Sequence, residues 1–380
     1  MEDNPFSDAE IATRIEKVRA VIAASGLEAA IFASPENVFW LTGLDHWGYF
    51  APHLLFLPVE GEPVLVTRAM ERVSVEKQVR AAEFRGHPDS ETAADMAARV
   101  VNQRGARRIG LEFWTAGMSH GLARSLQAQV NADWQDVGRL VDDLRLVKSA
   151  EEQALLRRAA TVTDAAAGAA IAAIRDGARE VDVAAECLAA MIRAGGNPPG
   201  FGPFVRPGPR LGEEHATWGG SVYRTGEPVF LELSGCVSRY HAPLGRLVRI
   251  GAISDADARI AEVARDAFDA VVAGLRPGRR AAEVYDDWQA VVDAAGLGHY
   301  RRHHCGYAVG VGLPPSWTGG NRVVGIRPGS DLTIESGMSF HVLSWLMGTG
   351  AGDDFVSSTV LVTETETEVL TKTPVGPILR

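Results

Sequence analysis

Cysteine is scarce in this sequence: Cys187, Cys236 and Cys305 are its only three in 380 residues. An odd number at wide spacing excludes a disulfide framework and a CxxC zinc pattern, and it predicts a reducing, cytoplasmic compartment. Long apolar runs are missing too. No uncharged stretch reaches the roughly 18 residues that a membrane span needs, and no basic start followed by an apolar core suggests a secretory leader. Basic excess is also absent. The 38 Lys and Arg face 48 Asp and Glu, a net charge of −10, with the cations scattered. Nucleic acid and anionic membrane are thereby excluded as main partners, since both need clustered cations. What remains is an ordinary globular composition, 46% apolar and 23% charged, on a chain long enough for two domains.

The first part alternates helix and strand signals. Ile11, Ile15, Val18 and Ile22 stand at three- and four-residue steps, predicting a helix over 11–24. A short apolar strand over 29–33 is closed by Ser34-Pro35-Glu36-Asn37, which reads as a turn. Segments 53–58 and 63–67 flank Val59-Glu60-Gly61-Glu62 as a hairpin. A further strand over 108–112 completes an α/β domain, assigned to residues 1–147. Residues 148–380 form the second domain. It opens with an Ala-rich helix over 150–174, capped by Ser149 and complemented by Glu151 and Glu152 in its first turn.

A helix–Gly–helix phrase occurs twice. Asp176-Gly177 precedes a helix ending at Ala194-Gly195, and Pro277-Gly278 precedes one ending at Ala295-Gly296, 101 residues on. Strand-like segments follow each copy, over 228–233 and 338–343. Such duplication predicts two helix pairs packed on one antiparallel sheet, an α+β domain with its ligand crevice between the halves.

These features carry a resemblance. Lys148-Ser149-Ala150-Glu151-Glu152 opening a long helix, the duplicated unit, and Gly337-Met338 before a strand resemble the creatinase, aminopeptidase P and methionine aminopeptidase superfamily. Asn37-Val38-Phe39-Trp40-Leu41-Thr42-Gly43 resembles its creatinase-type N-terminal domain. The resemblance implies the pita-bread fold for the C-terminal domain and a homodimer in which one N-terminal domain caps the partner's site. Trp47, Tyr49 and His53 then become candidate walls of that site. Packing beneath a domain interface is the alternative for this aromatic loop.

Metallopeptidases of the superfamily bind two divalent metals through Asp, Asp, His, Glu and Glu. Those positions fall here on Glu232, Pro243, Tyr307, Leu343 and Ser357, so one carboxylate survives. The expectation is therefore no metal and no cofactor, unless His241 and His341 rebuild a different site. Within the superfamily, the phrases around Glu232, Arg239-Tyr240-His241, Gly306-Tyr307, Trp317, Phe340-His341 and His215-Ala216-Thr217-Trp218 resemble the ectoine hydrolase group. Creatinase would carry Glu where Gly245 stands. An acidic residue expected at Ser316 is absent, so the scaffold is closer to that group than the substrate contacts are.

Glu232 stands between apolar residues in a strand. It is the candidate nucleophile or general base; the alternative is a carboxylate on a solvent face. His215 and His341 are candidate proton carriers, against a surface and a core histidine respectively. Tyr307 is a candidate oxyanion donor. Tyr240, His241, His304, Trp317 and Glu335 are candidate substrate contacts, and the basic run 301–304 could hold a substrate carboxylate. Together they predict a metal-independent hydrolase of a C–N bond in a small polar amino-acid derivative. A lyase or cyclase, a non-catalytic peptide-binding module and a residual metallopeptidase are the alternatives.

Overall fold

The computed structural model describes residues 4–319 and 323–380 and separates into two units. The first closes at Arg145; the second comprises Leu146–Gly319 and Val323–Arg380.

In the first unit, α1 (Asp8–Ala24) buries Ile11, Ile15, Val18 and Ile22, the residues that carried its periodicity. Strand β1 (Ala29–Phe32) leads into α2 (Pro35–Thr42). The phrase read above as a turn therefore starts a helix. Ser34 takes the N-cap place and Pro35 the first turn, where a missing N–H removes no helical bond. The hairpin forms as expected from β2 (Leu54–Pro58) and β3 (Val64–Arg68). Then follow α3 (Arg72–Gln78), β4 (Glu83–His87), α4 (Ala93–Arg104), β5 (Arg108–Leu111), α5 (His120–Gln129), β6 (Asp133–Asp136) and α6 (Leu140–Leu144). The sheet order is β4-β3-β2-β1-β5-β6. At the end of β5, fully buried Glu112 accepts from the N–H groups of Ala33 and Ser34, each at 2.7 Å, and from Asn37 Nδ2 at 2.6 Å. It ties the turn before α2 to the sheet.

The second unit carries the duplication. Helices α7 (Ala150–Ala173) and α8 (Glu180–Arg193) are followed by β7 (Phe204–Pro207), β8 (Pro228–Val237) and β9 (Tyr240–Arg249). Helices α9 (Asp255–Gly274) and α10 (Ala281–Ala294) are followed by β10 (Gly306–Ala308), β11 (Ser339–Leu346), β12 (Asp354–Val362), β13 (Thr367–Val369) and β14 (Ile378–Leu379). Ser149 closes a capping box with Glu152 at the start of α7. The sheet runs β10-β11-β12-β9-β8-β7, antiparallel along that path. Helix α7 packs on β8 and β9, and α9 on β11 and β12.

Gly235 fixes which way β8 faces. A Cβ there would lie 2.5 Å from Ala159 O and 2.6 Å from Thr163 N, so α7 rests directly on the strand. The Gly235 N–H also donates to Thr163 Oγ1 at 2.8 Å. Strand side chains alternate, so Gly235 faces the helices and Glu232 faces the other way.

Candidate active site

Glu232 pairs in register with Gly245, Gly245 with Ser357, and Ser357 with Leu343. Two residues along β11, His341 pairs with Tyr307, and along β8 Ser234 pairs with Pro243. Paired residues point to one face. All five positions that the resemblance assigned to metal ligands thus share the face away from the helices, but four no longer carry the expected donors. Among the described residues, no three His, Cys, Asp or Glu side chains are grouped to hold a metal ion. One carboxylate with Pro, Leu, Tyr and Ser does not fit a dinuclear divalent centre. His241 does not rebuild one. Its Nε2 takes the Gly200 N–H at 2.9 Å, and its Nδ1 lies 3.0 Å from Arg239 O.

On this face lies a cavity of about 380 Å³. Phe201, Phe204, Phe230, Trp317 and Trp345 give it aromatic walls. Its titratable groups are Glu232, Arg206, Glu214, His215, Arg302, His303, His304 and Tyr307. Glu232 opens onto the cavity while the protein around it shields it from bulk solvent. Burial pushes its carboxyl up to about 7; Arg206 pulls it down and Glu214 pushes it further up.

Arg206, which the sequence reading did not single out, is 2% exposed. It pairs in register with Phe230 while Glu232 pairs with Phe204, which places the two charges diagonally across β7 and β8. Its guanidinium lies 4.6 Å from the centre of the Phe230 ring, its Nη1 donates to Glu213 O, and its Nε is buried without a partner. Part of the basic run also reaches the cavity. Arg302 lies over Trp345 at 5.1 Å, and both Arg302 Nε and His304 Nδ1 are buried without a partner. Burial, with His303 and Arg302 beside it, pushes His304 down to about 4. Arg301 instead pairs with Asp293 at 2.7 Å.

Behind the wall, a hydrogen-bonded chain includes two of those five positions, Tyr307 and Ser357. Trp317 Nε1 donates to Tyr307 Oη at 3.1 Å. The Tyr307 hydroxyl shares a hydrogen bond with His341 Nδ1 at 2.9 Å, and His341 Nε2 shares one with Ser357 Oγ at 2.7 Å. Burial pushes His341 down to about 3, so it is a neutral member of this chain near pH 7. Tyr307 lines the cavity with its hydroxyl on His341, and it donates toward the cavity when His341 Nδ1 carries the shared proton.

The structure thus gathers Glu232, His215, His304, Tyr307 and Trp317 at one cavity, with His341 directly behind. The other candidates of this unit do not line that cavity. Tyr240 is buried at the start of β9, with its hydroxyl on Glu152 Oε1 at 2.6 Å. His241 is held as described, and Glu335 is exposed at the turn before Gly337. Trp47, Tyr49 and His53 belong to the other unit. There Tyr49 Oη donates to Leu44 O at 3.0 Å, and buried His53 lies 2.9 Å from His46 through their Nε2 atoms. Phe204, Arg206 and Phe230 were missed because the register of β7 against β8 brings them to Glu232, and no local phrase signals it.

Known proteins share this architecture. An ectoine hydrolase from Halomonas elongata is 28% identical, with 97% of each chain covered. A Xaa-Pro dipeptidase from Pyrococcus horikoshii is 23% identical, over 95% of this chain and 97% of the relative. The solved structure of a Xaa-Pro dipeptidase from Bacillus anthracis superposes with a TM-score of 0.86 at 22% identity, over 97% of this chain and 100% of the other. Residues 14–147 match the creatinase/prolidase N-terminal domain, and residues 154–364 match metallopeptidase family M24. The chain therefore belongs to the M24 family of hydrolases, with a creatinase-type N-terminal domain ahead of its pita-bread domain.

Proposed function

We propose that this M24 hydrolase works without a metal and cleaves a C–N bond in a small polar amino-acid derivative, a cyclic amidine of the ectoine kind or a creatine-like compound. One observation carries the reading. Glu232 is the sole carboxylate at the five former ligand positions, and it faces an aromatic-walled cavity. A carboxylate tuned to about 7 is matched to taking a proton near neutrality. In the reaction, Glu232 takes a proton from water as the oxygen adds to the C=N carbon. The same proton, or one carried by His215, then passes to the leaving nitrogen. The C–N bond breaks, and an amidine opens to an amide and an amine. Arg206 stands beside the charge that Glu232 loses and regains. Arg302, which lines the cavity, offers a cation for a substrate carboxylate, with His304 beside it. The ectoine hydrolase relative supports this substrate class.

The same reading includes a homodimer in which one N-terminal domain covers the partner's cavity. Trp47, 60% exposed, and Phe50, 79% exposed, support it as candidate contact residues. The test is turnover of ectoine and creatine, followed by NMR, on protein whose mass is checked by light scattering. We expect a dimer that opens one of the two compounds at the same rate with and without EDTA. Activity lost to EDTA and restored by a divalent metal would return the protein to the metallopeptidases. A fully active species of 40.6 kDa would remove the partner's cap.

A further inference from the structure

Between β7 and β8 the chain makes a long excursion, residues 208–227, that brings Glu214 and His215 to the cavity. His215 sits at φ 58, a left-handed conformation uncommon for a non-glycine residue, and the chain on either side of it is pinned by its surroundings. Those surroundings converge on one carboxylate outside the cavity. Glu180, the first residue of α8, is fully buried. Arg210 Nη1 donates to both of its oxygens, at 2.8 and 2.7 Å, and the Gly219 N–H donates to Oε2. Arg210 and Gly219 are the two feet of the arc whose middle carries Glu214 and His215. Arg210 also donates through Nε to Glu213 Oε2 at 2.8 Å, immediately before them. The Gly219 foot is packed tightly: a Cβ there would lie 2.6 Å from Arg210 Nη1 and 2.8 Å from Glu180 Oε2.

We propose that Glu180 is a positioning residue for the active site: it clamps the two feet of the 210–219 arc and so holds His215 in place at the cavity. Its role in turnover rests on the function proposed above, whereas the clamp itself does not. A buried carboxylate that accepts three hydrogen bonds from two donor groups is a stiff anchor, because removing it leaves Arg210 Nη1 and the Gly219 N–H without their acceptor. A proton carrier that swings freely loses the effective concentration that a fixed one has.

The experiment uses full-length protein labelled with ¹³C-histidine, whose ten rings include His215, assigned through His215→Gln. In Glu180→Gln the His215 signal should move toward that of a free-chain histidine. The signals of His241 and His341, fixed by bonds elsewhere, should stay in place. In parallel, kcat for ectoine should fall about tenfold while KM stays within about threefold. If Glu180→Gln fails to fold, Arg210→Gln cuts the same tie from the half-exposed side. An unchanged His215 signal with unchanged kcat in a folded variant overturns the clamp. Wild-type protein inert toward ectoine, with a His215 signal that still depends on Glu180, overturns the substrate reading and leaves the clamp standing.

Discussion

Each unit buries one glutamate whose carboxyl is pushed up to about 7 chiefly by burial, and the two differ in everything else. Glu112 is enclosed by donors: two backbone N–H groups and the Asn37 amide bond it within 2.7 Å. Glu232 faces a cavity, with a cation diagonal to it and aromatic rings around it. The same perturbation therefore has two meanings. A buried carboxylate whose lone pairs are filled by its own protein serves the fold, whereas one left open toward a cavity is available to a substrate.

Exchanging the two glutamates' fates by mutation tests this contrast. The largest effect belongs to Glu232→Gln, which keeps shape and removes the base. Turnover should fall at least ~10²-fold with substrate binding changed far less, as read by steady-state kinetics beside a calorimetric check of folding. Full activity in the folded variant would take Glu232 out of the mechanism. Glu112→Ala should do the reverse. It strands three buried donors and should lower stability by roughly 3–5 kcal/mol in urea unfolding, with kcat per folded molecule unchanged. A fall in kcat at constant stability would dissolve the distinction.

The finest test uses pH. A carboxyl raised from 4.5 to about 7 in the folded state keeps its stabilising share below pH 4.5 and loses it as pH rises through 7. Glu232→Gln should therefore match the wild type near pH 4.5 and exceed it by up to about 3 kcal/mol at pH 8. Wild-type kcat/KM should meanwhile rise through about pH 7 as Glu232 ionises. A stability difference that stays flat with pH would mean that Glu232 titrates normally.

Much of this was legible in the sequence, for reasons that particular residues make plain. The 101-residue repeat survives folding intact: α8 and α10 begin and end that far apart. Helix pairs must bury their apolar faces, so their spacing shows in the chain. Glu232 was legible because a carboxylate between Leu231 and Leu233 conflicts with its strand. Arg206 was not, since Phe-Val-Arg-Pro is a short strand without periodicity, and only pairing with β8 turns it toward Glu232. Tyr240 and His241 misled for a related reason. They stand in the hairpin that carries Glu232, but Tyr240 turns to Glu152 and His241 is spent on Gly200 and Arg239. At α2 the signal was present and undervalued, because Ser followed by Pro marks a helix start as readily as a turn.

Gly245 limits what the cavity wall can accept. It lies between Glu232 and Ser357, where creatinase would carry Glu, and any Cβ there would collide with the ring of Phe355 and lie 2.7 Å from Ser357 Oγ. Phe355 in turn stacks on Phe230 at 5.0 Å. Aromatic packing fills the space that a side chain at position 245 would need. An acid placed there meets an occupied site, so Phe355 must move first. Volume, as much as charge, sets how many acids this stretch of wall can hold.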